Sequence, residues 1–301
     1  MRIVSLLPSA TEILGALDLT DQLLAVSHEC DTPASVTALP RITASIIPHG
    51  LPQAEVDRLV SAAVRNSEPL YTVNAELLAQ IRPDLIVTQG VCDVCAVTPE
   101  VVNHALDRVP AGLLDGVRVL SLDARSIEGV FQDVIAVAGA AGVPERGQAR
   151  GAAHRARWQA LGGGPRKKIL LLEWAEPPYY GGHWVPEQIA AAGGEDILGK
   201  PGVDSGRTTW ARVHEGDPDV LVVACCGYNL DQNLGVARRL LQSPDVQGLR
   251  AVREGRIWAA DANAYYSRPA LRLVRGAEVL AHVLRDGPDL PGEAVRVTPP
   301  A

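Results

Sequence analysis

The residues of this chain that can do chemistry gather in short polar stretches. His28-Glu29-Cys30-Asp31 sets an imidazole, two carboxylates and a thiol in four consecutive positions, and Cys92-Asp93-Val94-Cys95 is a CxxC. Cys30, Cys92, Cys95 and His28 together offer a zinc ion three thiolates and an imidazole, and any one of them could ligate cobalt or haem iron. A CxxC without a second pair at zinc-finger spacing fits equally well a redox couple, or small thiols that fill loop packing. His183, between Gly182 and Trp184, is either an axial ligand or a hydrogen-bonding loop residue.

The aromatic residues are placed unevenly. Of 12, nine lie between Trp174 and Tyr266, most of them beside Pro, Gly or polar clusters, while Val, Ile, Leu and Ala build the apolar runs. Rings kept out of the core can cover a large flat ligand, although a loop aromatic can also merely pin its loop. Enzyme signatures are missing: there is no GxSxG, GxxxxGK[ST] or HExxH, and Gly162-Gly163-Gly164-Pro165 precedes a strand where a phosphate loop would follow one. No residue is assigned a catalytic role.

These residues need elements to position them. Residues 2–7 read as a strand, then Ser9 and Glu12 take the S-x-x-E capping-box form ahead of a helix. Strands follow at 23–27, 83–88 and 117–122, with a helix turn at 74–80 and an amphipathic helix carrying Ile127, Val130, Phe131, Val134, Ile135 and Ala138. The second half repeats the alternation, with strands at 168–173, 220–224 and 256–260, a short helix at 186–192, and a last helix starting near Pro269. Alternating strands and helices give α/β lobes with mostly parallel sheets. An internal echo, Pro83-Asp84-Leu85-Ile86-Val87 against Pro218-Asp219-Val220-Leu221-Val222, and 116–124 against 255–262, makes the two halves similar. Between them 144–164 reads as one bridging helix, opened by Pro144 and closed by glycines, with a flexible linker as the alternative given Gly147 and Gly151. The expected organisation is an N-terminal lobe at 1–143, the bridge at 144–164, a C-terminal lobe at 165–285 and a loosely ordered Pro/Gly-rich tail at 286–301.

A net charge of −7 argues against nucleic acid and anionic membrane as partners. The odd cysteine count, with Cys225 and Cys226 adjacent, does not resemble a secreted disulfide framework. A strand directly after Met1, with no leader before it, sets a cytoplasmic expectation, or a periplasmic or cell-surface one if the start is truncated.

In order and spacing, these motifs resemble the helical-backbone (class III) substrate-binding proteins of ABC importers that carry cobalamin, haem and iron–siderophores. The cobalamin-binding members are the most similar. Residues 5–12 (Ser-Leu-Leu-Pro-Ser-Ala-Thr-Glu) resemble their first strand and loop, and 26–33 their next loop. Residues 82–87 resemble the strand after their first-lobe docking helix; 173–194 resemble the opening of their second lobe, and Tyr266-Ser267-Arg268-Pro269 their last loop. The match covers roughly residues 2–285. It implies two Rossmann-like lobes joined by one long helix, and a monomer that needs no cofactor. It also implies non-catalytic binding of a cobalt corrinoid, cobalamin or a precursor, in an interlobe cleft, for uptake. Because ligands sit beyond the carboxyl ends of parallel strands, the expected ligand-binding residues are Pro8, His28, Gln89, Trp174, Tyr179, Tyr180, His183, Trp184, Tyr228, Asn229, Tyr265, Tyr266 and Arg268. Haem or a ferric siderophore is the alternative cargo, with Arg268 and Arg207 the obvious cations for an anionic edge. A cytosolic corrinoid- or metal-handling enzyme using Cys30, Cys92 and Cys95 is a further reading, and a vestigial cleft serving as an interaction module another. Family members dock on their permease through one acidic side chain per lobe. Glu76 matches the first, but Ala211 and Arg212 stand where the second is expected, which argues against permease delivery.

Overall fold

The computed structural model describes residues 1–90, 97–164 and 166–298; Cys92 and Cys95 lie outside the described residues. The chain divides into two units: Met1–Ala124 with Glu128–Ala153, and Arg125–Ile127 with His154–Ala301.

Unbroken aliphatic runs set the topology of the first unit. Its elements are β1 (Ile3–Ser5), α1 (Pro8–Ala16), β2 (Leu23–Val26), β3 (Thr43–Ser45), α2 (Gln53–Arg65), β4 (Tyr71–Val73), α3 (Ala75–Ile81), β5 (Leu85–Gln89), α4 (Pro99–Leu106), β6 (Arg118–Leu122) and most of α5 (Ile127–Ala140). Ile3, Val4, Leu85, Ile86 and Val87 are fully buried, as strands covered on both faces require. The sheet runs β2-β1-β5-β6, all parallel, with β3 and β4 as a separate antiparallel pair. The expected capping box at Ser9 does not form. Leu7 is the extended N-cap and Pro8 the first helical residue, so Ser9 and Glu12 are buried inside α1. Proline's preset φ starts the helix ahead of the serine.

The second unit contains β7 (Lys168–Ala175), β8 (Pro178–Tyr180), α7 (Val185–Ala191), β9 (Glu195–Asp196), β10 (Gly206–Arg207) and α8 (Trp210–Gly216). It continues with β11 (Val220–Val223), α9 (Leu230–Leu240), α10 (Arg250–Arg253), β12 (Ile257–Ala260), α11 (Ala262–Tyr265), α12 (Leu273–Leu284) and β13 (Ala294–Arg296). Here α6, introduced as Pro144–Gln159, arrives from the first unit. The sheet is mixed, in the order β10-β8-β7-β11-β12-β13, with β9 beside β7; β7, β11 and β12 are parallel. The tail is not loose: β13 pairs antiparallel with β12, and Arg296 lies over the fully buried Trp258 ring at 5.0 Å. An exposed sheet edge beside a large ring outweighs the turn-forming composition.

The internal echo is a repeated device. Asp84 accepts the backbone N–H of Arg2 at 2.7 Å and donates its own to Arg2 O at 2.8 Å; Asp219 does both with Lys168, at 2.8 Å each. Each aspartate thus ties the start of one parallel strand to the start of the next. Each Pro-Asp pair also follows a helix capped in the same way. Asn74 caps the start of α3 and Thr209 that of α8, while Arg82 and Asp217 end them in the left-handed conformation, at φ 50° and 42°.

The bridging segment is a helix, and its glycines are packing residues. Gly147 is buried in α6, where a Cβ would stand 2.4 Å from Ala138 Cβ on α5. Arg146 donates to Leu17 O at 3.0 Å within the first unit, and Arg157 pairs with Glu278 at 2.8 Å within the second.

Asn233 on α9 is fully buried and holds the carboxyl ends of two strands together. It accepts the Cys225 N–H at 2.8 Å and donates to Ala260 O at 2.9 Å and Tyr228 O at 3.3 Å. Asn233→Ala is expected to cost about 2–4 kcal/mol by orphaning buried backbone groups. Urea unfolding measures it, and a loss below ~0.5 kcal/mol would refute this role.

Candidate ligand-binding site

In a parallel sheet every carboxyl end faces one way, so the loops after β1, β2, β5 and β6 share one edge of the first unit. Pro8 stands there half-buried at the first turn of α1, and Gln89 ends β5, half-buried and in register with Leu122. Beneath them lies a buried hydroxyl and thiol cluster. Thr11 Oγ1 donates to Ser5 Oγ at 2.8 Å, and Cys30 Sγ lies 3.0 Å from Thr11 Oγ1 and 3.3 Å from Ser27 Oγ. Cys30 is 1% exposed, and among the described residues no group of three or more His, Cys, Asp or Glu is arranged to hold a metal.

His28, after β2, is oriented by Thr43. Its backbone N–H donates to Thr43 Oγ1 at 3.0 Å, and Nδ1 lies 2.7 Å from the same oxygen. Nε2 is 3.5 Å from Glu29, and the ring sits 5.8 Å from that of Tyr71. Burial pushes the His28 pKa below its usual value against the opposing pull of Glu29, which favours the neutral, ligating imidazole. Asp123 follows β6 and accepts the Gly90 N–H at 2.9 Å.

In the second unit the same edge carries the aromatics. Trp174 on β7 and Tyr228 after β11 are both half-buried, with ring centroids 5.6 Å apart at 59°. Tyr179 and Tyr180 on β8 are half-buried as well, and Tyr180 packs on the core. Asn229 is exposed but caps α9, its side chain accepting the Gln232 N–H at 3.0 Å and Gln232 returning the bond. His183 takes a left-handed φ of 52°, held by its N–H to Val203 O at 2.6 Å, and its Nε2 lies 3.1 Å from Asp204, which also pairs with Arg125. Burial lowers the His183 pKa against the pull of Asp204.

Three expected ligand residues are instead interior. Trp184 is 5% exposed and donates Nε1–H to Tyr266 O at 2.6 Å. Tyr266 is 3% exposed with its hydroxyl on Gly276 O at 3.3 Å, and Arg268 is 7% exposed. The sequence places these rings beside glycines and prolines, but α7 and α12 close over them. Tyr265 stays half-buried, its hydroxyl donating to Glu293 at 3.0 Å and its pKa pushed up to about 12, first by burial and then by that bond. Residue patterns gave no signal for Thr43, Thr11, Asn233 or Glu293. The Asn229–Gln232 box alone had a readable signature, N-x-x-Q.

Each of the two α/β units thus carries polar or aromatic groups at the carboxyl ends of its parallel strands, and α6 runs from one unit into the other. The chain belongs to the periplasmic binding protein family, whose model matches residues 3–264. The fold is shared with the periplasmic vitamin B12 binding protein BtuF of Vibrio cholerae, at 22% identity and TM-score 0.67 over 95% of this chain and 96% of that one. It is shared also with the periplasmic heme-binding protein RhuT from Roseiflexus sp. RS-1, at 23% and 0.70 over 95% and 98%. A periplasmic heme binding protein from Pseudomonas aeruginosa aligns at 19% and 0.72 over 100% and 99%. No curated protein sequence matches the chain. The family is periplasmic, which lends the cytoplasmic expectation no support, and among the described residues no helix is long and apolar enough to cross a membrane.

Two predictions separate interior from site. Trp184→Ala is expected to destabilise the second unit by about 3–5 kcal/mol, read as a lowered unfolding midpoint; an unchanged midpoint would overturn its interior role. Asp133, on α5, accepts the Ala124 N–H at 3.3 Å, and burial pushes its pKa up to about 6. Its folded value lies above the unfolded value of about 3.9, so the folded state holds the extra proton. This residue's contribution to stability therefore falls as pH rises from about 4 to 6. Asp133→Asn keeps the acceptor and is expected to raise the thermal midpoint at pH 7 but not at pH 4. Equal effects at both pH values would refute the assignment.

Proposed function

We propose that this protein binds a corrinoid, cobalamin or an incomplete precursor, without catalysing a reaction on it. The observation that carries this reading is the half-buried Trp174–Tyr228 ring pair where β7 and β11 end, in a chain of the periplasmic binding protein family. Rings at such an edge suit the broad apolar face of a tetrapyrrole-like macrocycle, and the Gln89 amide suits its amide-bearing rim. Of the two cations expected for an anionic edge, Arg268 is taken up inside the second unit and Arg207 on β10 stays exposed. Haem is the second reading. It is favoured by the imidazoles of His28 and His183, whose pKa values burial lowers toward the neutral form that a metal ligand needs.

Delivery to a permease is part of the same proposal, in one-sided form. Glu76 is exposed in the first turn of α3, where an acid suits a partner arginine. At the corresponding turn of α8 stand Ala211 and Arg212, both exposed, so the second unit offers no matching carboxylate at those positions. The site of action we assign is the periplasm.

Titration of the purified protein with cobalamin, cobinamide and haemin tests the cargo, following tryptophan quenching and the absorbance of each ligand. Saturable quenching by a corrinoid at micromolar or lower concentration is expected, with Trp174→Ala weakening it about tenfold. Saturation by haemin alone would move the assignment to haem, and no response to any of the three would sink it.

A further inference from the structure

The C-terminal tail does more than complete a sheet. Glu293, just ahead of β13, lies beyond the stretch that matches the family and meets the loop after β12 at two points and α12 at a third. Its backbone carbonyl accepts the Asp261 N–H at 2.9 Å. Its Oε1 accepts the Tyr265 hydroxyl at 3.0 Å, and the carboxylate is held by the Arg275 guanidinium through two bonds, Nε to Oε1 at 3.0 Å and Nη2 to Oε2 at 2.6 Å. Arg275 in turn bonds Glu278 at 3.1 Å, and Glu278 pairs with Arg157 on the last turn of α6.

Held bidentately, the carboxylate has one orientation, and planar Arg–carboxylate pairs are the geometrically specific ones. Its remaining acceptor capacity then points the Tyr265 phenol. The backbone of the same loop is clamped separately from α7. Gln188 Nε2 donates to Tyr265 O at 2.9 Å and Leu273 O at 2.7 Å, and Trp184 donates to Tyr266 O. α7 therefore holds the carbonyls of residues 265 and 266 and the tail holds the Tyr265 side chain, so both restrain the same short helix, α11. Nothing in the fold of the second unit requires that phenol to be aimed; a ligand surface does.

We propose that Glu293 is a positioning residue for the ligand loop Asp261–Arg268: through its carboxylate the C-terminal tail sets the aim of the Tyr265 ring. The assignment rests on the binding reading above. It makes the tail an affinity element that touches no ligand itself.

Hydrogen exchange of the ligand-free protein, paired with cobinamide dissociation kinetics, tests it. Glu293→Gln leaves the backbone bond to Asp261 intact and removes the charge that Arg275 grips. Amides of 261–268 are expected to exchange about tenfold faster, with those of β7 and β11 unchanged. Cobinamide is expected to dissociate about 3–10-fold faster. The tyrosine titration, read as a difference against Tyr265→Phe, is expected to move to lower pH in Glu293→Gln. The double variant Glu293→Gln/Tyr265→Phe is expected to add little to Tyr265→Phe alone, because the Arg275 grip reaches the loop side chain only through the phenol that Tyr265→Phe removes. If Glu293→Gln accelerates exchange throughout the second unit, Tyr265→Phe alone decides, since it spares the Arg275 pair: faster exchange confined to 261–268 supports the role. Unchanged loop exchange in Tyr265→Phe, or additive effects in the double variant, would overturn it. Should the wild type bind no corrinoid at all, the binding proposal falls, while exchange and the phenol titration still decide whether the tail positions the loop.

Discussion

Sheets buried on both faces impose the constraint on which the rest of each unit depends. Central strands such as β5 and β11 are buried along almost their whole length, so polar groups next to them can meet water or ligand at the strand ends. Parallel order then divides the two ends by task. The amino ends are closed by Asp84 and Asp219, which satisfy the orphan backbone groups of the neighbouring strand. The carboxyl ends are left to loops whose polar groups are aimed by buried side chains, Thr11 and Thr43 in the first unit and Asn233 in the second. Chemistry collects at that edge because the sheet admits it nowhere else.

The two units use the same device at the closed end and diverge at the open one. The helix, left-handed cap, Pro-Asp and strand recur from Asn74 to β5 and from Thr209 to β11. Near the carboxyl ends the first unit buries hydroxyls and a thiol beside a half-buried imidazole, and the second carries half-buried rings. The divergence at the exposed turns of α3 and α8 has the same character, since the capping residues are retained while Glu76 gives way to Ala211.

What could be read in the residues follows from which interactions are local. Strand and helix existence was legible because apolar runs and periodicity are short-range. The echo at Pro83 and Pro218 was legible because it repeats a device complete within a few residues. The capping box at Ser9 was misread because Pro8, one position earlier, already begins the helix. The loose tail was misread because its partner, Trp258, stands far from it in sequence. Gly147 and Gly151 left a flexible linker open by composition, whereas at Gly147 the close approach of α5 leaves no room for a Cβ. Most of the expected strand-end residues do stand at strand ends, yet which of them face outward depended on contacts no window contains. Trp184 and Trp174 look alike in sequence, and only the covering by α7 and the Tyr266 carbonyl separates an interior ring from a half-buried one.

That separation bears on how a binding site can be built from loops at all. A ring that must meet a ligand cannot also be fixed by full burial, so its orientation has to come from bonds made behind it. His28 obtains this from Thr43, and Tyr265 from Glu293. Both supports come from segments remote in sequence from the residue they aim. His28 has Glu29 and the Tyr71 ring beside it as well, and Tyr265 has the Tyr266 ring edge-on, so each is half-buried rather than enclosed. The buried rings at Trp184 and Tyr266 then have a distinct task, which is to hold the main chain from which Tyr265 projects. Burial and exposure are in this way complementary parts of one arrangement, and adjacent aromatic residues in the sequence take opposite roles because only one of them can be both anchored and presented.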